Sequence, residues 1–293
     1  MKMFETLAYY FQFDFVKYAF IAGVLVSLCA ALLGVSLVLK RYSMIGDGLS
    51  HVAFGAIAVA AVLKIAPMYF TLPVTILAAV ILLRMGQNSK IKGDAAIAML
   101  SVGALAVGYL LMNVFSTNAN ISGDVCTTLF GSTSILTLSA TDVYTCIALA
   151  AVVITAYILF YNRIFAVTFD RDFAKATGVH TKFNNMLLAA LTAITIVVGM
   201  KLIGSIMISA VIVIPAVASM RLFKTFKATV ISSAVISVLC FILGFLFAVT
   251  FVIQKPDSYM SGTVMLPVGA TVVCFNVLAL LIACLFKKKR VKS

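Results

Sequence analysis

The sequence predicts an all-α fold, a polytopic membrane helix bundle of about nine spans, on the strength of its composition and the spacing of its apolar runs. Of 293 residues, 63% are hydrophobic and only 11% charged, with a mean hydropathy of +1.17, whereas soluble domains carry about 25% charged residues. The apolar residues fall into runs near the ~20 residues that cross a bilayer, separated by short polar segments. Lipid takes the place of a core, and no extramembrane segment is long enough for a second domain, so residues 1–293 read as a single transmembrane unit.

Taken in order, residues 1–14 mix aromatics with Lys2, Glu5 and Asp14 and predict an interfacial helix. No small-residue cleavage site follows a basic start, so the first span is expected to be retained. Spans are expected at 15–39, 44–63, 66–83, 95–115, 142–161, 184–200, 202–220, 228–253 and 266–286. Residues 184–220 admit two readings: two crossings sharing a turn around Gly199, Lys201 and Gly204, or a re-entrant pair covered by protein. Pro215 removes a helix hydrogen bond and predicts a kink. Gly204, Ser205, Ser209 and Ala210 offer a small face for close helix contact.

Two loops stand out. Residues 116–141, rich in Ser, Thr, Asn and Gly, suit either a partner surface or a plain connector. Residues 162–182 predict a short helix, capped by Asp170, carrying Asp172 in its first turn with Ala174 and Ala176, and ended by Gly178. Such a helix suits a surface that a cytoplasmic motor pushes on, or an interfacial helix with no partner.

The net charge of +13 is concentrated in alternate loops: Lys40–Arg41, Arg84 to Lys92, Arg163 to Lys182, Arg221 to Lys227, and the tail from Lys287. That alternation follows the positive-inside rule, so it argues for topology and against a nucleic-acid partner. It places the chain in the cell membrane with the N-terminus outside and the C-terminus in the cytoplasm. The six cysteines form no Cys-x-x-Cys pair, and free thiols are expected.

The chemistry centres on residues 40–60, where Asp47 and His51 occupy an otherwise apolar span. An aspartate mid-membrane costs about 2.5–3.5 kcal/mol, so it faces a polar cavity or a partner. At spacing i, i+4 the two side chains share one helix face, and carboxylate with neutral imidazole is a ligand pair for a borderline divalent cation. Alternatively, Asp47 caps the first turn and His51 donates to a neighbouring carbonyl. Phosphate-loop, His-Glu-x-x-His and Gly-x-Ser-x-Gly motifs are all missing, which disfavours an enzyme and leaves ATP to be handled elsewhere.

Asp47-Gly-Leu-Ser-His51, the Asp170 to Gly178 loop, Gly204 through Pro215-Ala216, and more weakly Leu129-Phe-Gly-Ser132 stand in the order of one known family. The chain resembles the permease subunit of the metal-ion ABC transporters, importers of zinc, manganese and sometimes iron. The resemblance implies a type II importer-like bundle, a homodimer, an ATPase subunit on each cytoplasmic face and an extracytoplasmic solute-binding protein. It implies a transported zinc or manganese ion held by Asp47 and His51, no permanent cofactor, and a coupling helix carrying Asp170, Ala174 and Gly178. Some relatives carry a further histidine in the fourth span; 95–115 holds none. The rival class is a secondary transporter using Asp47 as a proton-coupling carboxylate, and a third is a membrane protein that binds a partner and has no pathway.

Overall fold

A computed structural model describes residues 9–88, 93–115, 139–250, 252–254 and 263–290. Along the chain run α1 (Asp14–Leu39), α2 (Ile45–Val62), α3 (Pro67–Asn88), α4 (Gly93–Phe115), α5 (Ala140–Leu159), α6 (Tyr161–Phe169), α7 (Arg171–Ala176), α8 (Thr181–Ile203), α9 (Ser205–Leu222), α10 (Phe226–Thr250), β1 (Val252–Gln254), β2 (Thr263–Met265) and α11 (Val268–Arg290). Among the described residues, 8 helices are long and apolar enough to cross a membrane, and the apolar Pro67–Leu83 portion of α3 supplies a shorter ninth. The membrane helix bundle is therefore present, with the spans where the apolar runs put them.

Side-chain bonds across helices fix the direction of each neighbour relative to α1. Ser233 and Ser237 of α10 donate to the carbonyls of Ala31 (3.4 Å) and Ser27 (3.0 Å), and Phe245 packs on Phe20, so α10 runs antiparallel to α1. Cys146 of α5 donates to Ala22 O, and Cys29 donates to Ala150 O, so α5 runs parallel to it. Lys40 at the end of α1 donates to Asn185 at the start of α8 (2.6 Å), which sets α8 antiparallel. Cys240 and Thr271 link α10 to α11, through Phe275 O and Gly244 O, as an antiparallel pair. With these directions α1 and α11 run the same way, so the start of α1 and the end of α11 lie on opposite faces of the bundle.

Residues 184–220 form two helices of spanning length separated by Gly204 alone, whose φ of 91° lies where L side chains are strained. The two fold back on each other, Gly199 lying against Ile208. Helix α9 continues through Pro215 to Leu222 although the ring removes the donor for the Val211 carbonyl.

Three elements were not expected from sequence, one helix and a pair of strands. The stretch after α5 opens with α6, which buries Ile164 and Val167 and stacks Phe165 on Phe226 of α10 (5.2 Å between centroids), so a polar-looking loop carries an amphipathic helix. Between α10 and α11, β1 and β2 pair antiparallel with Ile253 opposite Val264, β-branched residues that favour the extended chain. The proposed interfacial helix falls mostly in residues 1–8, and loop 116–138, with Leu129 to Ser132, lies outside the described residues.

Lipid supplies no hydrophobic force between helices, so packing and interhelical hydrogen bonds hold the bundle. Replacing Ser237 by Ala is expected to lower stability by about 0.6 kcal/mol, and Ser233→Ala by less, because its bond is longer. Unfolding titrations in mixed micelles measure both.

Candidate metal centre

Helix α2 is buried almost all round. Between Ile45 and Ala56 every residue is buried except Asp47 and His51, the two polar members of the i, i+4 pair. The neighbours explain the opening. On one flank α4 runs parallel to α2 and presses on it where α2 has no side chain: Ile97 lies over Gly48, and the Ala104 carbonyl would stand 2.7 Å from a Cβ at Gly55. On the other flank α9 approaches Gly46 through Ser209 and Ile212. Asp47 and His51 look out between the two, toward a side where α9 presents the half-exposed Ser209, Ala210 and Val213.

Asp47 Oδ1 and His51 Nε2 are 3.5 Å apart, with Asp47 47% and His51 18% exposed. That separation is long for a hydrogen bond. It matches two ligands of one cation: zinc–nitrogen and zinc–oxygen bonds of about 2.1 Å at a tetrahedral angle put the donor atoms about 3.4 Å apart. The bland alternatives fare less well. The helix has no side-chain cap hydrogen bond at its N-cap, Met44. His51 Nδ1 is buried with no hydrogen-bond partner among the described residues, so the ring does not donate to a carbonyl there. Ser50 donates to the Asp47 carbonyl (2.7 Å) and leaves the carboxylate alone. No group of three or more His, Cys, Asp or Glu side chains gathers among the described residues, so a single chain offers a cation this pair and little else.

The predicted short helix is α7. Asp170 accepts from the amides of Asp172 (3.0 Å) and Phe173 (2.9 Å), two of the donors that a helix start leaves open. Gly178 ends the segment with φ 81°, and an added Cβ there would touch nothing within 4 Å, so glycine is needed for backbone conformation and not for space. Ala174 is fully buried against the bundle while Phe173 faces outward, 63% exposed. Asp170, Ala174 and Gly178 thus stand at the start, in the body and just past the end of α7. Pro215 lies in α9, on the helix that walls the opening beside Asp47.

A pairing that sequence reading missed closes the other end of the bundle. Lys201, in the last turn of α8, donates to Asp142 Oδ1 at 2.7 Å, and the other carboxylate oxygen accepts from the Ser139 hydroxyl at 2.8 Å in a capping box that starts α5. Only the charge of Lys201 inside an apolar stretch hinted at a partner, and nothing in sequence selected a residue 59 positions away.

A multi-pass bundle that leaves an acid and an imidazole partly exposed on a helix otherwise buried from Ile45 to Ala56 suits a membrane permease. The chain belongs to the ABC 3 transport family, whose model matches residues 12–287. It is 27% identical to the manganese import system permease protein ScaB of Streptococcus gordonii, over 84% of this chain and 87% of that protein. It is 26% identical to the high-affinity zinc uptake system membrane protein ZnuB of Haemophilus influenzae, over 80% and 87%. Among solved structures, PsaBC from Streptococcus pneumoniae in complex with Fab superposes with a TM-score of 0.77 at 25% identity, covering 95% of this chain and 94% of that one.

Loss of the α7 cap is expected to be local. Asp170→Ala should cost about 0.5–2 kcal/mol of helix stability, read as faster amide exchange at Asp172 and Phe173 with the α8 amides unchanged.

Proposed function

We propose that the chain is the translocating subunit of an ATP-driven importer of divalent transition-metal ions, zinc or manganese, in which Asp47 and His51 hold the ion in transit. The observation that carries this reading is the 3.5 Å carboxylate–imidazole pair, half-open on a helix whose other residues from Ile45 to Ala56 are buried. Two strong ligands suit a pathway, because an ion held too tightly does not leave. The rest of the ion's shell comes from water and from a second copy of the chain across the opening.

Orientation follows from charge. Lys40, Arg41, Arg163, Lys175, Lys182, Arg221, Lys224 and Lys227 all belong to the end of the bundle that holds the α1–α2 turn, α6–α7 and the start of α10, which the positive-inside rule puts in the cytoplasm. At that end α7 offers its exposed Phe173 to a separate ATPase subunit, and the opposite end, where Lys201 meets Asp142, faces a solute-binding protein outside. Hydrolysis would reach the pathway through α7, which rests on α6 and α8, while α8 packs on α2.

Asp47→Asn and His51→Ala are each expected to abolish uptake of radioactive zinc or manganese per inserted molecule, while insertion stays at least as efficient, because losing the Asp47 charge or a polar ring from a span eases insertion. Near-normal uptake per molecule in both would remove the site. Uptake driven by an ion gradient in vesicles that lack any ATPase would instead assign the chain to secondary transport.

A cysteine placed at Lys224 in a cysteine-free chain is expected to resist impermeant maleimide from outside intact cells and to react after permeabilisation. Labelling from outside would invert the topology.

A further inference from the structure

At the end of the bundle that carries α6 and the start of α10, two surfaces that the pathway does not use meet at Phe226. One is the outward stripe of α10. Lys227, Ile231, Val235, Leu239 and Leu243 recur at i, i+4 and are all exposed, while the other faces of α10 pack on α1, α9 and α11. Apolar residues in such a row on the outside of a bundle face acyl chains, and Lys227 stands at the foot of the row. From Lys227 to Leu239 the helix climbs about 18 Å at its usual rise, close to the ~15 Å of hydrocarbon in one leaflet. Lys227 is therefore at headgroup height. The other surface belongs to α6, where Tyr161, Phe165 and Phe169 also recur at i, i+4 and stack on Phe226 with centroids 5.6, 5.2 and 5.8 Å away. Phe165 and Phe169 stay 41% and 59% exposed, so α6 lays an open aromatic edge beside the foot of the stripe.

We infer that this corner binds an anionic phospholipid, its phosphate on Lys227 and Lys224, its glycerol against Phe165 and Phe169, and one chain along Ile231 and Val235. Charge and position carry the assignment. Both lysines are exposed, and among the described residues no carboxylate lies within 4.0 Å of either. The Thr225 carbonyl accepts the Thr229 amide at 2.9 Å, so Lys224 immediately precedes the first turn of α10 and Lys227 lies within it. Ser219 of α9 donates to the Thr229 carbonyl at 2.8 Å and ties that turn down. Two long side chains three positions apart at a fixed helix start reach one phosphate together. A zwitterionic lipid brings its own ammonium to the same lysines, whereas each lysine near the surface favours an anionic headgroup by about 5-fold. Aromatic rings at this depth suit the headgroup boundary. A cytoplasmic protein could cover Phe165 and the lysines but not Ile231 and Val235, which lie within the hydrocarbon.

The chain contains no tryptophan, so one substitution gives a clean reporter. The test uses the full chain with Ile231→Trp in phosphatidylcholine bilayers that hold rising fractions of phosphatidylglycerol brominated in its acyl chains, with brominated phosphatidylcholine as the reference. Quenching reports which lipid sits beside α10. Val235→Trp gives a second reporter one turn deeper, and Tyr144→Trp, exposed at the opposite end of the bundle, is the control. The expected result is a preference for phosphatidylglycerol of about 5-fold or more at both α10 reporters and none at the control, with Lys227→Gln lowering the α10 preference about 5-fold. Equal quenching by the two lipids at α10, an equal preference at the control, or a preference untouched by Lys227→Gln would each overturn the assignment. So would a reporter that neither lipid quenches, because protein, such as a second copy of the chain, would then cover the stripe.

Discussion

Helix α1 accepts hydrogen bonds on its backbone from both sides, and the arrangement of the other helices depends on this. A helix in hydrocarbon satisfies its own amides, but each carbonyl keeps a second lone pair. On α1 those lone pairs at Ala22, Ser27 and Ala31 are taken by Cys146 of α5 and by Ser237 and Ser233 of α10. Donors of this kind are short, so the neighbours must come close, and the residues on α1 that face them are correspondingly small: Ala19, Ala22, Ala30 and Ala31 are all buried. The spine sets the height of α5 and α10 along the bundle, and the Lys40–Asn185 bond sets that of α8. Those heights bring α9 against both α1 and α2, and so set one wall of the opening in front of Asp47.

The other wall is made by subtraction. Parallel helices joined through an intervening antiparallel one rarely touch along their length unless their side chains withdraw, and α2 withdraws them at Gly48 and Gly55. The glycine seam lets α4 lie against one flank without turning Asp47 or His51 toward it. Burial on the flanks and exposure of the acid and the imidazole thus have a single cause.

Much of this was legible in the sequence because membrane spans are written in long apolar runs with polar breaks. The spans, a turn somewhere between Gly199 and Gly204, the cap of α7 and the shared face of Asp47 and His51 all rest on local rules: length, helix breakers, side-chain capping and helical period. What stayed hidden was long-range or locally ambiguous. Helix α6 reads as loop because Asn162 and Arg163 open it, and its apolar face became evident only with Phe226 of α10 beside it. The Lys201–Asp142 pair and the parallel contact of α2 with α4 join segments far apart in sequence, which no periodicity encodes. The same holds for the thiol contacts between α1 and α5.

The turn at Gly204 also bears on how the chain is made. With one residue between α8 and α9 there is no polar loop to be drawn across the bilayer, so the pair enters as a ready hairpin, tip first. Between Lys182 and Arg221 the sequence carries one charge, Lys201, and it sits in the last turn before that tip. Moving an ammonium through hydrocarbon costs about 2.5–3.5 kcal/mol at the midplane. The carboxylate that receives it, Asp142, belongs to a helix that precedes the hairpin in the chain and is therefore synthesised first. Order of synthesis, anion before cation, gives the hairpin a landing point.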